Sequence, residues 1–280
     1  MKVISTEYSQ VLGAKVAEQL GTGVVDVQFS RFPDGEQYLR AGPVDREMVI
    51  IGSVVNSRSL IQLLLLVDAC SKSDICLVLP YMGYARQDKQ FREGEPLSAR
   101  AIASALAGGS SRVITVNIHD EGVLEHFRIP AVNVSLGHDI GRELKKNLDD
   151  PFIVAPDDGA RYFAEQVALA GKWDFDHLDK TRISGDTVKI ASKNVDVRGR
   201  DVVIVDDIIS TGGTIATAAA MMYGEGAKTI GAACVHGVFT GGAYTHLKSA
   251  GIGEIICSDT IERASSTISA AGVIANAVRR

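Results

Sequence analysis

Two adjacent carboxylates, Asp206 and Asp207, stand just ahead of Ser210, Thr211, Gly212, Gly213 and Thr214 in the segment VVIVDDIISTGGTIATAAAMM. The apolar run before them reads as a buried strand ending at Val205, and the alanine-rich run after them as a helix. Glycines at the junction let the backbone turn its N–H groups inward, and a helix N-terminus adds the positive end of its dipole. Three hydroxyl side chains can donate to the same ligand. Such a cradle suits a terminal phosphate monoester, while Asp206 and Asp207 suit vicinal sugar hydroxyls or a magnesium ion. An ordinary strand–turn–helix with acids as caps has a similar look, but two acids ahead of Thr-Gly-Gly-Thr exceed what a cap needs. No GxxxxGK[ST] motif occurs, so the usual nucleotide P-loop is absent.

Five further segments carry groups able to do chemistry. In RFPDGE, Phe32 can stack on a base while Asp34 and Glu36 accept from an exocyclic amine; Pro-Asp-Gly is equally good chemistry for a surface turn. In LPYMGYARQDKQ, Arg86 and Gln87 follow a buried strand, where a guanidinium suits a polyphosphate or simply a solvated loop. VNIHDEG sets His119 just past another strand. Histidine is not a usual partner of hard cations, and ordinary hydrogen bonding is what the residue alone suggests. IVAPDDG supplies a second acid pair, Asp157 and Asp158, at a strand end where a helix N-cap is also expected. KWDFDHLDKTRISGDTVKI holds Lys180 and Arg182 in a stretch that by itself reads as a solvated charged hairpin.

These groups need elements to hold them. Short β-rich runs alternate with helical patterns along all 280 residues. Strands are expected at Lys2–Ser5, Met48–Ile51, Ile75–Pro80, Val113–Ile118, Phe152–Ala155, Val202–Val205 and Ile230–Val235. Helices are expected at Tyr8–Leu20, Ser59–Cys70, Ser98–Ala107, Ala160–Ala170 and Thr214–Tyr223. Several strands are apolar on both faces, as in parallel sheets covered by helices, which argues for an α/β architecture. The pattern occurs twice. A shift of about 150 lays Lys2–Gly21 over Phe152–Gly171, and one of about 154 lays Val49–Ala85 over Val203–Phe239 without a gap. The expectation is two doubly wound parallel-sheet domains related by internal duplication, residues 1–145 and 146–280, with ligands beyond the carboxyl ends of the strands. The two halves differ at the site, because the first carries Gly52, Ser53 and NSRSL where the second has its acid pair and STGGT.

Bulk properties narrow the function. A formal net charge of −5 makes a nonspecific nucleic-acid binder an unsuitable reading. Cys70, Cys76, Cys234 and Cys257 show no CxxC spacing, and read as buried thiols in a reducing compartment. The longest apolar stretch, near Leu60–Val67, is too short to span a bilayer, and the expected location is cytoplasmic.

VIVDDIISTGGT resembles the phosphoribosyl-diphosphate loop of type I phosphoribosyltransferases and ribose-phosphate diphosphokinases. RFPDGE, YARQD and VNIHDEG are similar to the diphosphokinases in particular, and the likeness spans nearly the whole chain. It implies the phosphoribosyltransferase-like fold in both domains, with ATP on the first and ribose 5-phosphate on the second. It implies that Phe32, Asp34, Gly35 and Glu36 hold adenine, often for a neighbouring subunit, and that Arg86 and Gln87 contact ATP. His119 and Asp157 correspond to the family's positions for Mg2+. Lys180 and Arg182 match the Lys-x-Arg of its mobile catalytic loop, where two cations meet the charge on the transferred group. Arg182 also belongs to the ribose 5-phosphate set with Asp206, Asp207 and residues 210–214. Ser210 departs from the family's loop by dropping one acid. The reaction implied is transfer of the β,γ-diphosphoryl group of ATP to ribose 5-phosphate by a homo-oligomer. The alternatives are a phosphoribosyltransferase consuming the product and a noncatalytic regulatory subunit of the same fold.

Overall fold

The computed structural model describes the backbone of residues 1–184, 187–191 and 196–280, and side chains outside 179–195. The chain forms two compact units, Met1–Ser135 with Asp259–Glu262 and Ser269–Arg280, and Leu136–Ser258 with Arg263–Ile268.

The first unit contains β1 (Lys2–Ser5), α1 (Gln10–Leu20), β2 (Val27–Arg31), β3 (Gln37–Ala41), β4 (Glu47–Ile51), α2 (Ser57–Ala69), β5 (Asp74–Leu79), α3 (Ser98–Ala107), β6 (Arg112–Val116) and β7 (Ala131–Val134). Its main sheet is parallel in the order β1-β4-β5-β6-β7, and β2 and β3 form a separate antiparallel hairpin. Met48 to Ile51 and Ile75 to Leu79 are buried without alternation, because helices cover both faces of the sheet. Helix α2 buries Ser59, Gln62, Leu63, Leu66 and Val67 along one stripe. Its start is closed by a reciprocal cap, in which Ser59 N–H donates to Asn56 Oδ1 at 2.9 Å.

The second unit contains α4 (Gly137–Leu144), β8 (Phe152–Ala155), α5 (Arg161–Leu169), β9 (Phe175–His177), β10 (Asp179–Ser184), β11 (Thr187–Ala191), β12 (Asp201–Ile209), α6 (Gly213–Gly224), β13 (Thr229–Gly237), α7 (Ala243–Ser249), β14 (Ile255–Ser258) and β15 (Ser266–Ile268). Its parallel sheet runs β15-β14-β13-β12-β8-β9, and β10 and β11 pair as an antiparallel hairpin. The order matches the first sheet strand for strand: β8, β12, β13, β14 and β15 take the places of β1, β4, β5, β6 and β7. The β10–β11 hairpin takes the place of β2–β3, and a parallel bridge between Val3 and Val24 stands where β9 lines β8. The repeat expected from the sequence is therefore a repeat of topology.

The compact units depart from a border at 145/146 in three segments, 136–145, 259–262 and 269–280. Helix α4 goes with the second unit, and the C-terminal helix α8 (Ala271–Val278) packs on α1 in the first. Helix α8 buries Ala271, Ile274, Ala275, Ala277 and Val278, more than a one-sided stripe, and needs an apolar partner. Asp259 fixes the returning segment by accepting from Lys15 Nζ at 2.7 Å and from the Ala270 amide at 2.8 Å. All four cysteines are buried, and none is in a disulfide. Among the described residues, no helix is long and apolar enough to cross a membrane.

Candidate active site

The strand expected to end at Val205 continues to Ile209, so Asp206 and Asp207 lie within β12. The extension follows from β13, which runs on to Gly237 and keeps a ladder with β12 through Ile208↔His236 and Ile209↔Gly237. Strand β8, on the other side, pairs only Val202 to Ile204. Asp206 and Asp207 therefore sit on the part of β12 that has outrun β8, next to Asp157 in the turn after β8. Burial, then the charges of Asp207 and Asp157, push the Asp206 carboxyl well above the ordinary carboxylate range. Three acids are thus in electrostatic contact at one end of the sheet. Asp157 takes an N-cap position but makes no capping hydrogen bond with its side chain, which weakens the reading of this acid as a simple cap.

Residues 210–214 form the turn from β12 into α6. Gly212 occupies the N-cap with φ +81°, a left-handed conformation that favours glycine. A Cβ there would also come within 3.1 Å of the buried Leu247 side chain. Because glycine has no side chain, α6 starts without the side-chain cap that Asn56 gives α2. The first amides of α6 receive no side-chain cap from Gly212, and Thr211 and Gly213 are exposed beside them. The turn is braced from β13, since the amides of Phe239 and Thr240 donate to the carbonyls of Ile209 and Ser210, both at 3.1 Å.

Lys180 and Arg182 lie on β10, opposite Ile190 and Val188 of β11, with a register shift between Arg182 and Ser184. Their side chains fall outside the described residues.

In the first unit RFPDGE forms the tip of the β2–β3 hairpin. Phe32 N–H donates to Glu36 O, and Gly35 N–H to Phe32 O, both at 2.9 Å, with Gly35 at φ +96°. The turn chemistry is real, and it leaves Phe32 49% exposed, edge-to-face with Tyr38, beside exposed Asp34 and Glu36. Arg86 and Gln87 follow β5, and His119 follows its neighbour β6, so the three emerge from one edge of one sheet. Arg86 is exposed and makes no ion pair among the described residues, whereas Gln87 is held by Ser98 Oγ and by the Ala99 amide. His119 is exposed, two residues after Asn117 at φ +39°.

The structure thus gathers Asp157, Asp206, Asp207 and residues 210–214 in the second unit, and Arg86, Gln87 and His119 along the sheet edge of the first. Sequence reasoning missed two other features. Buried His177, at the end of β9, lies 3.1 Å from Asp176 and 3.5 Å from Asp158. Tyr84 and Phe239 adopt left-handed backbone in the loops after β5 and β13.

Residues 1–108 match the family model for the N-terminal domain of ribose phosphate pyrophosphokinase, and residues 135–267 match the phosphoribosyl transferase domain. The ribose-phosphate pyrophosphokinase of Methanosarcina acetivorans is 47% identical over the full length of both chains. The enzyme of that name from Methanosarcina mazei is 48% identical over 99% of this chain and 95% of its own. The chain belongs to the ribose-phosphate pyrophosphokinase family. In fold, it is similar to the crystal structure of phosphoribosylpyrophosphate synthetase from Mycobacterium smegmatis, with a TM-score of 0.87, 28% identity and coverage of 99% of this chain and 97% of the other. Membership in the family agrees with the two parallel-sheet units.

Proposed function

We infer that the chain transfers the β,γ-diphosphoryl group of ATP to the C1 hydroxyl of ribose 5-phosphate, giving 5-phosphoribosyl 1-diphosphate and AMP. Family membership supports the reaction, and the observation that carries its placement is the glycine-started helix α6 beside the carboxylates of β12. The 5-phosphate sits on the amides and hydroxyls of residues 210–214, and the sugar hydroxyls face Asp206 and Asp207. Adenine rests against Phe32 with Asp34, Gly35 and Glu36 beside it, and the ATP phosphates meet Arg86 and Gln87. Lys180 and Arg182 supply positive charge to the group in transit, as phosphoryl transfer needs alignment and charge stabilisation more than covalent chemistry. No side chain is assigned as general base.

The donor chemistry suits magnesium. Asp157, Asp206 and Asp207 are hard oxygen donors crowded enough to raise Asp206. Among the described residues, no three His, Cys, Asp or Glu side chains form a complete metal-binding set. Magnesium does not need one, since it keeps waters and takes one or two carboxylates together with substrate phosphates. Asp157 would hold the ion, which when bound neutralises charge on the diphosphate; His119 is proposed as a magnesium residue on the family likeness alone. We propose also a cytoplasmic homo-oligomer, a reading supported by the exposed adenine-side hairpin tip.

The test is AMP release from ATP and ribose 5-phosphate with no nucleobase present. A phosphoribosyltransferase would release diphosphate only when a base is added, and a noncatalytic subunit would release nothing.

A further inference from the structure

Strand β13 outruns its neighbour β14. The ladder between them covers Ala232 to Cys234, and β14 stops at Ser258, whereas β13 continues to Gly237. Past Val235, the carbonyls on that flank therefore lie beyond the last residue of β14. Side chains take its place: Ser258 Oγ donates to Val235 O at 2.8 Å, Arg263 Nε to Gly237 O at 3.3 Å, and Arg263 Nη2 to Val238 O at 2.9 Å. Arg263 is itself held, since its amide donates to Ser266 Oγ at 3.1 Å and Ser266 Oγ donates to Ser258 O at 3.0 Å. It pairs with no carboxylate among the described residues, so its fork is committed to these two carbonyls.

The turn gripped by Arg263 is the one that braces the phosphate seat. Its next two amides, of Phe239 and Thr240, donate to Ile209 O and Ser210 O. Phe239 sits at φ +46°, a conformation a non-glycine residue keeps only when its surroundings fix it. We propose that Arg263 is a positioning residue for ribose 5-phosphate. It stands in for the missing strand, fixes residues 237–240 and through them sets the carbonyls from which residues 210–214 turn into α6. Arginine suits the role because its planar fork presents Nε–H and Nη2–H to the two carbonyls in one fixed geometry, whereas a lysine's three donors rotate on a flexible stem. The inference rests on the reading of residues 210–214 as the sugar-phosphate seat.

The test compares Arg263→Ala, Arg263→Lys and, as a direct strike on the seat, Gly213→Ala in the full chain, with ribose 5-phosphate varied at saturating ATP. Arg263→Ala is expected to raise KM for ribose 5-phosphate about tenfold, as small misplacements of a binding group do. Turnover at saturating sugar should change less than about threefold, because no interaction made only in the transition state is removed. Amide hydrogen exchange at Phe239 and Thr240 should accelerate, and Arg263→Lys should recover only part of the affinity. An unchanged KM overturns the proposal, as does a loss of kcat and affinity for both substrates that merely tracks a lower melting temperature. Should Arg263→Ala not fold, Arg263→Lys decides by the same split. If Gly213→Ala weakens sugar binding and the Arg263 variants do not, the positioning role falls alone. If none of the three does, the seat itself has been misplaced.

Discussion

The two glycines at the start of α6 have different duties, and alanine separates them. At Gly212, with φ +81°, alanine carries a left-handed penalty of ~1–2 kcal/mol. Its methyl would also lie 3.1 Å from Leu247 Cγ and Cδ2, and Leu247 is fully buried, so crowding adds about 1 kcal/mol. The total of roughly 2–3 kcal/mol corresponds to a fall in melting temperature of about 5–10 °C. The N-cap shifts with it, and KM for ribose 5-phosphate should rise at least about tenfold. At Gly213 the φ is ordinary, and the nearest atom to an added Cβ is Thr211 Oγ1 at 4.0 Å. Alanine here is a helix substitution that should stabilise by roughly 0.5–1 kcal/mol. If the phosphate sits on this turn as proposed, the added methyl intrudes on it, so KM should climb by about 10- to 100-fold. Melting curves and initial rates of AMP release against sugar concentration measure both effects. A Gly212→Ala protein that melts with wild type, or a Gly213→Ala protein with unaltered sugar affinity, would refute the assignment of these roles.

Three other outcomes are expected. Below the ordinary carboxylate pKa, Asp206 is protonated in both folded and unfolded chains and costs nothing; as pH rises through its elevated folded value, the folded chain must carry a poorly solvated charge and loses stability. Asp206→Asn should therefore be more stable than wild type in urea at pH 8, with the gain vanishing toward pH 3, while synthesis collapses; equal midpoints at pH 8 would contradict the crowding of these acids. Lys180→Ala should lower kcat by about three orders of magnitude or more with ATP affinity little changed, and near-normal turnover in single-turnover experiments would remove it from the mechanism. Burial pushes Cys70 and Cys76 up to about 11 and raises Cys234 as well, so a thiol reagent at pH 7.5 should label the native chain slowly and the urea-unfolded chain at once.

The buried strands were the most legible part of the sequence, because apolar residues on both faces leave few other places for them. Lys2–Ser5, Phe152–Ala155 and helix Ser98–Ala107 have the ends expected. Strand β12 overran its expected end because a long neighbour can hold Asp206 and Asp207 in a ladder despite their poor strand propensity. The β2–β3 hairpin was not legible because exposed residues such as Gln28, Arg31 and Arg40 alternate with only half-buried ones, which gives little apolar contrast, and only Pro-Asp-Gly marked its turn. The return of α8 to the first unit depends on what an apolar helix finds to pack against, which no local pattern encodes. At the site, Asp206, Asp207 and the glycine turn could be read directly from residue chemistry. Arg86, His119 and Lys180 needed the family likeness, since each alone is an unremarkable polar residue.

The cap on α2 has a consequence for stoichiometry. Asn56 and Ser59 plug the helix mouth that corresponds to the open one at Gly212. On the placement of ribose 5-phosphate proposed above, a chain that carries the same frame twice offers a single berth for a sugar phosphate, because the first copy's helix mouth is stopped by an asparagine.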